Sequence, residues 1–344
     1  MSRWAVILAG GVGSRFWPLS TPTRPKQLLP LIDDAPLLVN TVRRLTPAVP
    51  LERVIVITNS TLANGVRSLL PALPPNNIIA EPRSAGTAPA LTWAALEIER
   101  RDGDTSVMLC VHADWAIGDD AGFRSTLERA ATAAERHSAL VTVGIVPERP
   151  DPGLGYIQPG EVVDGARRVV RFVEKPDRAT AERMVRDGYL WNSGIFVWRV
   201  KDFLDEVRAV APEVADALDG GATTDIQRFF TSVRPIAVDN AVMERSARVL
   251  VIPGDFGWDD VGTWGALHRV RVRDEASNAL AGRVHAVDAR DNVVYADAGT
   301  VVLYGVRDLV VVTRPGLTLV TTRERASDLK TLLEQLPPDV REVQ

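Results

Sequence analysis

Residues 6–31 read VILAGGVGSRFWPLSTPTRPKQLLPL, and this stretch decides the fold class. An apolar strand ends in the consecutive glycines Gly10 and Gly11, where the missing side chains let the backbone approach a ligand closely. Successive N–H groups in such a turn bind anions, and the guanidinium of Arg15 adds a rigid fork for phosphate oxygens. A strand followed by an anion-binding turn indicates an α/β sheet with its ligand site at the carboxyl ends of the strands.

Two familiar phosphate-binding loops do not account for this stretch. It lacks the Gly-Lys-Ser/Thr ending of an ATPase loop, and Phe16 stands where a dinucleotide fingerprint has its third glycine. Instead, a loop stiffened by three prolines leads to Lys26, one of four lysines among 40 basic residues. Because arginine is otherwise the rule here, this lysine indicates a need for a compact ammonium. We expect the loop to hold a nucleoside triphosphate.

The composition restricts the partners and the compartment. A formal net charge of −4 over 344 residues argues against nucleic acid or an anionic membrane as a partner. The single Cys110 excludes an intrachain disulfide, and no apolar run reaches the roughly 20 residues that span a bilayer. The first residues run straight into a strand, and we expect no basic, cleavable leader. We therefore expect a soluble protein of the cytoplasm.

Strands and helices alternate in the first part of the chain, which predicts βαβ units and an α/β, Rossmann-like domain with a mostly parallel mixed sheet at residues 1–273. After about Asp274, short valine-rich strands predict a small β-rich C-terminal domain, residues 274–344, with a terminal helix at Ala326–Leu336. This domain shows no repeat strict enough to indicate a solenoid. The clearest predicted elements are strands at Trp4–Leu8, Val54–Thr58, Val107–Val111 and Leu140–Val146, and helices at Leu37–Leu45, Thr61–Leu70, Ala88–Arg100 and Phe123–Arg136.

Two aspartate motifs suit a metal ion. Asp114 follows a buried strand, a position from which a carboxylate can bind Mg²⁺, although a turn or helix cap is the alternative. In GWDDVGTW, Asp259 and Asp260 repel each other and so attract a cation. One of them would complete a metal site with Asp114, or else Asp260 or Thr263 caps the helix that follows.

Other motifs suit a sugar and a nucleoside. In FVEKP, Glu174 and Lys175 would point to opposite sides of an extended strand, where a carboxylate suits sugar hydroxyls and an ammonium suits a sugar phosphate. Asn192 adds an amide among aromatic residues in WNSGIFVW. The alternative for these residues is the end of a surface strand. EPRSAGTAP contributes Glu81 and Thr87, and capping of a helix is the ordinary role of this threonine.

Taken in order, the motifs LAGGVGSRFWPLSTPTRPKQ, GTAPA, GYIQPG, FVEKP, WNSGIFVW and WDDVGTW resemble those of the mannose-1-phosphate guanylyltransferases, within the sugar-nucleotidyltransferase superfamily. The resemblance covers nearly the whole chain, and its first and last motifs are specific to the family. It implies a nucleotidyltransferase domain, Mg²⁺ as cofactor, and GTP and mannose 1-phosphate as substrates. A homodimer is left open.

The resemblance also implies roles for individual residues. The residues expected around the nucleotide phosphates are Leu8, Ala9, Gly10, Gly11 and Gly13. The residues expected to face the guanine and ribose are Glu81 and Thr87. The residues expected around the sugar phosphate are Gly155, Glu174, Lys175 and Asn192. The expected catalytic residues are Arg15, Lys26, Asp114 and Asp260, of which the two aspartates would bind the metal.

Four positions depart from the pattern of the family. Gly86 replaces the usual Asn before Thr-Ala-Pro, which bears on the contacts to base and ribose. Trp115 and Leu154 replace the usual His and Tyr, which bears on the sugar that fits. Asp259 replaces Ser or Asn, and its charge would either assist the metal or be exposed. The chain is also expected to lack the fused isomerase domain of bifunctional relatives.

The expected reaction is attack of mannose 1-phosphate on the α-phosphorus of GTP, which yields GDP-mannose and pyrophosphate. Since the attacking phosphate is already ionised, catalysis needs positioning and charge neutralisation and no protein nucleophile. The alternatives are another hexose or heptose 1-phosphate, another nucleotide, or a non-catalytic sugar-nucleotide sensor. A sensor needs no pair of metal-binding aspartates. An NAD(P)-dependent oxidoreductase is disfavoured by Phe16.

Overall fold

A computed structural model describes residues 1–11 and 14–341. The chain forms two compact units. The sheet unit comprises Met1–Gly10, Val42–Ala113 and Asp119–Trp258, and the coil unit comprises Gly11–Thr41, Asp114–Gly118 and the chain from Asp259 onward. The domain boundary expected at residue 273 stays a prediction, because a division into compact units does not show which part folds by itself.

One mixed sheet of nine strands is the core of the sheet unit. Its strands are β1 (Arg3–Leu8), β2 (Val54–Asn59), β3 (Ile78–Glu81), β4 (Val107–His112), β5 (Leu140–Ile145), β6 (Tyr156–Val163), β7 (Ala166–Val173), β8 (Leu190–Arg199) and β9 (Val249–Gly254). Their order is β3-β2-β1-β4-β8-β5-β9-β7-β6. The pairs from β3 to β4 are parallel, whereas β8 runs antiparallel to both β4 and β5. The predicted α/β fold with a mixed sheet is confirmed, but the sheet is not mostly parallel, because β7 also runs antiparallel to β6 and β9, and β6 runs antiparallel to β8.

The parallel part of the sheet brings several strand ends to one edge. Leu8, the last residue of β1, is aligned with His112 of β4 and Ile57 of β2, and Asn59 is aligned with Glu81. Strands β1, β2 and β4 are almost continuously buried, as expected for parallel strands with both faces covered. The turn after β1 therefore lies at the same edge of the sheet as the end of β3, where ligands bind in such folds.

Strand β3 is absent from the sequence-based assignment because four residues are too few to display a period. The helices predicted in the first half of the chain are confirmed within a few residues at each end, whereas α7 was not predicted. The helices are α1 (Leu37–Leu45), α2 (Ala63–Leu69), α3 (Thr87–Asp102), α4 (Asp120–His137), α5 (Arg178–Arg186), α6 (Val200–Val210), α7 (Pro212–Asp219) and α8 (Ile226–Ser232). A π-helical turn follows at Asp239–Met243.

The C-terminal part of the coil unit consists of stacked parallel turns. Its strands are β10 (Ala279–Ala281), β11 (Val284–Val287), β12 (Val293–Ala296), β13 (Val301–Tyr304), β14 (Leu309–Arg314) and β15 (Leu317–Thr322). Strands β10, β12 and β14 form one parallel row, β11 and β13 form another, and β15 closes the first row in antiparallel fashion. The short helices α9 (Leu267–Val270), α10 (Leu329–Gln335) and α11 (Pro338–Arg341) also lie in the described C-terminal part of this unit.

A β-rich module is confirmed, and its strands form a repeat of stacked turns that is not strict enough to be identified in the sequence. Ser277, Asp291 and Asp308 occupy equivalent places in successive turns, and all three have positive φ, at 61°, 57° and 56°. Buried Asn278 accepts the backbone N–H of Asn292, which itself accepts the N–H of Leu309, both at 3.0 Å. The turns are 14 and then 17 residues long at these positions (277, 291, 308), and this unequal spacing hides the repeat.

The predicted terminal helix is shorter than expected, because a 3-10 turn at Arg325–Ser327 precedes α10. Among residues 1–11 and 14–341, none of the helices has the length and apolar character to cross a bilayer.

Candidate active site

The turn after β1 is held by the end of β2 and lies next to a buried carboxylate. The carbonyl of Ala9 accepts the Thr58 hydroxyl at 3.1 Å, and the Ala9 N–H donates to the carbonyl of Ile57 at 2.7 Å. A Cβ added to Gly10 would lie 3.5 Å from Oε2 of Glu81. The structure thus brings together Gly10 and Glu81, two of the residues predicted to bind the nucleotide, at the end of β1.

Glu81 is 7% exposed, and its burial raises the pKa of the carboxyl from 4.5 to about 7. Desolvation disfavours the charged form, and the loss of water is the cause that sets this pKa. A carboxyl group that titrates near neutrality at the ligand edge of an α/β sheet suits hydrogen bonding to a ligand.

Gly86 and Thr87 begin α3, and the structure explains the glycine. Gly86 has φ of +85°, and a Cβ at this position would lie 2.4 Å from the carbonyl oxygen of Ile236. Any other residue would therefore collide with the backbone. The predicted capping role of Thr87 is wrong, because Gly86 is the N-cap and Thr87 is the first helical residue. Its hydroxyl instead accepts the N–H of Val238 at 2.8 Å.

The residues predicted around the sugar phosphate lie close together in the sheet unit. The carbonyl of Gly155 accepts the N–H of Asn192 at 2.8 Å. A Cβ on Gly155 would lie 2.8 Å from Oε2 of Glu174 and 3.4 Å from Cβ of Asn192, so a larger residue here would displace the Glu174 carboxylate. The Asn192 amide donates to Oδ1 of Asp239 at 2.8 Å. Asp239 was missed by the sequence analysis, because it lies in a π-helical turn without a motif of its own.

The expectation that Glu174 and Lys175 point to opposite sides is wrong. Lys175 has φ of +42° and is not extended, and its ammonium lies 2.8 Å from Oε1 of Glu174. Both side chains are more than half exposed, so the ion pair contributes little to stability. A lysine in the left-handed region is uncommon and is often found at functional sites.

In the coil unit, the Lys26 side chain connects the two predicted metal-binding aspartates. Its ammonium lies 3.0 Å from Oδ2 of Asp114 and donates to the backbone carbonyl of Asp260 at 2.7 Å. Lys26 is buried, whereas the Asp114 side chain is 37% exposed. Asp114 does not cap α4, the helix that follows it in the chain. That role belongs to Asp119, whose carboxylate accepts the first N–H groups of α4.

The loop between Gly11 and Lys26 also contributes to this cluster. The Gln27 amide donates to the carbonyl of Gly11 at 2.8 Å and so ties the glycine turn to the residue after Lys26. A Cβ on Gly262 would lie 2.7 Å from Oδ2 of Asp260 and 3.5 Å from Nη1 of Arg15. The exposed Arg15 guanidinium and the Asp260 carboxylate thus border the same glycine. Gly13, which was predicted to bind phosphate, lies outside the described residues.

Three of the residues that depart from the pattern of the family are buried. Asp259 is 6% exposed, and Trp115 and Leu154 are each 8% exposed, so Asp259 does not present an extra charge to solvent. Thr263 is the N-cap of the 3-10 turn Trp264–Ala266 but makes no side-chain cap hydrogen bond. Capping by Thr263 is therefore not observed.

The donor set fits a divalent cation shared with a substrate. Asp114 and Asp260 offer hard carboxylate oxygens, and Mg²⁺ is commonly held by one or two carboxylates together with water and substrate phosphates. Within the described ranges no group of three or more His, Cys, Asp or Glu could hold a metal by itself. The two aspartates would thus hold a metal together with water, or with substrate oxygens when a substrate is bound.

Comparison with protein families finds two matches. A model for the nucleotidyl transferases matches residues 4–277. A model described as a MannoseP isomerase/GMP-like beta-helix domain matches residues 282–336, in agreement with the stacked turns of β10 to β15.

Named relatives cover most of the chain. A protein of Escherichia coli (strain K12) named mannose-1-phosphate guanylyltransferase is 38% identical in an alignment 356 positions long, gaps included, which covers 98% of this chain and 74% of the relative. The xanthan biosynthesis protein XanB of Xanthomonas campestris is 41% identical in an alignment 286 positions long, gaps included, which covers 80% of this chain. The matched part spans 60% of XanB.

A solved structure has the same fold throughout. The crystal structure of a Thermus thermophilus protein, named there a mannose-1-phosphate geranyltransferase, superposes with a TM-score of 0.89 at 34% identity. The superposition covers 97% of this chain and 99% of that one.

Proposed function

The chain belongs to the nucleotidyl transferase family, and from this premise we propose that it is a mannose-1-phosphate guanylyltransferase. It would transfer GMP from GTP to mannose 1-phosphate and release pyrophosphate. The observation that carries the proposal is the buried Lys26 ammonium, which touches the Asp114 carboxylate and the Asp260 carbonyl at once. A buried cation that contacts one of the two predicted metal-binding carboxylates and the backbone of the other aspartate suits a reaction between two polyanions.

In this reaction an oxygen of the sugar phosphate attacks the α-phosphorus of GTP. A new P–O bond forms, the bond from the α-phosphorus to the oxygen that bridges to the β-phosphate breaks, and pyrophosphate leaves with that electron pair. The task of the protein is to align the two substrates and to offset their negative charge. Arg15 and Lys26 would neutralise the triphosphate, and Lys175 would hold the sugar phosphate.

Nucleotidyltransferases typically use a divalent metal ion, and we assign Mg²⁺ to Asp114 and Asp260. When bound, the metal would supply positive charge next to the phosphate oxygens. Lys26 would orient Asp114 through its ion pair, and its hydrogen bond to the Asp260 carbonyl would hold the second aspartate in place.

The residues at the ligand edge of the sheet would bind the nucleoside and the sugar. The backbone from Leu8 to Gly11 would approach the nucleotide phosphates, and Glu81 would face the guanine. Thr87 would lie near the ribose as part of the rigid start of α3.

Gly155, Glu174 and Asn192 would surround mannose 1-phosphate, because a carboxylate and an amide that lie together suit sugar hydroxyls.

The proposal also covers the domains, the location and the assembly of the protein. We propose a catalytic domain at residues 1–273, a β-rich domain at 274–344 and a cytoplasmic location. The chain would need no nucleic acid or membrane partner, and a homodimer is its proposed assembly.

The test is release of pyrophosphate from purified protein with Mg²⁺. Mannose 1-phosphate is offered with GTP, ATP, UTP, CTP and dTTP in turn, and glucose 1-phosphate with GTP is the matched sugar control. Activity with GTP and mannose 1-phosphate that is lost in Asp260→Asn supports the proposal. Activity with another pair alone overturns the named substrates and keeps the chemistry. Binding of GTP without turnover of any pair makes a sugar-nucleotide sensor the better interpretation.

A further inference from the structure

Asp259 has both carboxylate oxygens engaged within the coil unit. Its Oδ1 accepts the backbone N–H of Val261 at 2.8 Å, which closes a two-residue turn around Asp260. Its Oδ2 accepts Nε of Arg269 at 2.8 Å. The Asp259 side chain is 8% exposed, whereas that of Arg269 is 41% exposed, so the ion pair is shielded mainly on the aspartate side.

The backbone of Asp259 links the segments that carry the two aspartates of the proposed metal site. The N–H of Ala116 donates to the carbonyl of Asp259 at 2.9 Å, and the N–H of Asp259 donates to the carbonyl of Ala116 at 3.1 Å. Ala116 lies two residues after Asp114, and Asp259 lies directly before Asp260. This pair of hydrogen bonds therefore fixes the register of one aspartate segment against the other.

The turn that Asp259 closes is conformationally strained. Val261 has φ of +47°, and a β-branched residue in this region is an outlier. Its side chain is fully buried in the hydrophobic cluster that includes Phe16 and Trp264. Such a conformation persists only where the surroundings enforce it, here by the buried side chain and by the bond from the Val261 N–H to Asp259.

We propose that Asp259 is a positioning residue, which together with Arg269 holds the Asp260 turn in the conformation from which the Asp260 carboxylate binds a divalent metal. This inference rests on the proposed function. Arg269 fixes the Asp259 carboxylate, Asp259 fixes the Val261 peptide, and the carboxylate of Asp260 is directed to Gly262. Residues that orient a metal ligand in this way commonly change metal affinity by about 10- to 100-fold when they are removed.

The competing interpretation is that Asp259 supplies charge to the metal directly. Replacement of Asp259 alone does not separate the two, because both interpretations predict weaker metal binding. Replacement of Arg269 does separate them. It releases the Asp259 carboxylate and removes a positive charge, so a direct electrostatic role predicts unchanged or tighter metal binding. A positioning role predicts weaker binding, because the carboxylate loses its anchor.

The experiment measures Mn²⁺ binding by electron paramagnetic resonance of the free ion, in the full chain without nucleotide. The variants are Arg269→Ala, Asp259→Asn and Asp260→Asn. Arg178→Ala is the charge-matched control, because Arg178 forms an exposed pair with Glu182 in the sheet unit. We expect about 10-fold weaker binding in both Arg269→Ala and Asp259→Asn, loss of binding in Asp260→Asn, and no change in the control.

Two further variants keep the result interpretable. Arg269→Lys retains the charge without the Nε–H donor and is expected to be intermediate, which covers the case that Arg269→Ala does not fold. The double variant Arg269→Ala/Asp259→Asn is expected to bind Mn²⁺ no more weakly than either single variant, since both substitutions break the same ion pair. Binding in Arg269→Ala and Arg269→Lys that equals or exceeds that of the wild type overturns the inference.

The same preparations are assayed for pyrophosphate release from GTP and mannose 1-phosphate. If the wild type is active and the Arg269 variants bind Mn²⁺ as tightly as the wild type does, the positioning role is rejected and the proposed function stands. If the wild type turns over no substrate but its Mn²⁺ affinity falls when Arg269 is replaced, the proposed function is rejected and the positioning role is supported.

Discussion

The ammonium of Lys26 lies 3.0 Å from Oδ2 of Asp114, and the lysine side chain is only 9% exposed. The same ammonium donates to the carbonyl of Asp260. Replacement by alanine therefore removes a positive charge from a site that is largely shielded from solvent. Lys26→Ala should lower kcat about 10²-fold, equivalent to about 3 kcal/mol of transition-state stabilisation.

Lys26→Arg should not restore the activity, because a planar guanidinium cannot take the place of a compact, buried ammonium. Lys201→Ala is the matched control, since Lys201 is exposed and pairs with Asp205 on α6. The measurement is steady-state pyrophosphate release. A wild-type kcat in Lys26→Ala would contradict the proposed catalytic role of this lysine.

The two glycines that flank α3 allow the cost of a collision to be separated from the cost of an unusual φ. Gly86 and Gly103 both have φ of +85°, but a Cβ on Gly86 would lie 2.4 Å from the carbonyl oxygen of Ile236, whereas a Cβ on Gly103 meets no described atom within 4 Å. Gly103→Ala should cost about 1 kcal/mol of unfolding free energy, from backbone strain alone. Gly86→Ala should cost at least about 2 kcal/mol more, measured by urea denaturation. Equal losses in the two variants would show that the Ile236 backbone yields freely.

Glu81 makes the stability of the protein depend on pH in a defined direction. Burial raises the pKa of this carboxyl from 4.5 to about 7. Between these values the folded state binds more protons than the unfolded chain, so the contribution of Glu81 is fully present below pH 4.5 and is lost as the pH rises through 7.

Glu81→Gln stays neutral at every pH. It should therefore gain stability relative to the wild type as the pH rises from about 5 to about 8, by up to about 3 kcal/mol. Urea denaturation of both proteins at four pH values across this range measures the gain. A constant difference between them across the series would contradict the raised pKa.

The hydrogen bond from Asn192 to Asp239 should matter for the sugar and not for the nucleotide. The Asn192 amide donates to Oδ1 of Asp239 at 2.8 Å, and without this acceptor the amide is held less tightly, by the longer 3.3 Å hydrogen bond from the Gly194 N–H to its oxygen. Asp239→Ala should raise KM for mannose 1-phosphate about 10-fold, the effect of about 1.4 kcal/mol, and leave KM for GTP unchanged.

The control for this prediction is Asn240→Ala. Asn240 is the next residue, and its side chain donates to Glu244 at 3.0 Å. A rise in KM for both substrates in Asp239→Ala would mean that the variant disturbs the fold. An unchanged KM for mannose 1-phosphate would show that Asp239 has no role in binding the sugar.

The periodicity of apolar residues along the sequence predicted the helices of the first half of the chain and the strands that are almost fully buried. Helix α1 has the predicted bounds Leu37–Leu45, and β1, β2, β4 and β5 agree within a residue or two at each end. The misses have specific physical causes. Thr87 is not a cap because the backbone of Ile236, remote from it in the sequence, requires glycine at position 86 and shifts the helix start.

Chain order alone determined that a glycine turn follows the first strand, that Asp114 follows β4, and that Lys26 ends a proline-rich loop. These statements need only the preference of each residue for strand, turn or loop. The tertiary structure alone decided that Lys26 meets Asp114, that Asn192 meets Asp239, and that Asp259 meets Arg269. Each such contact joins segments whose separation is fixed by sheet order and by the packing of the coil unit, and no local preference of the chain contains that information.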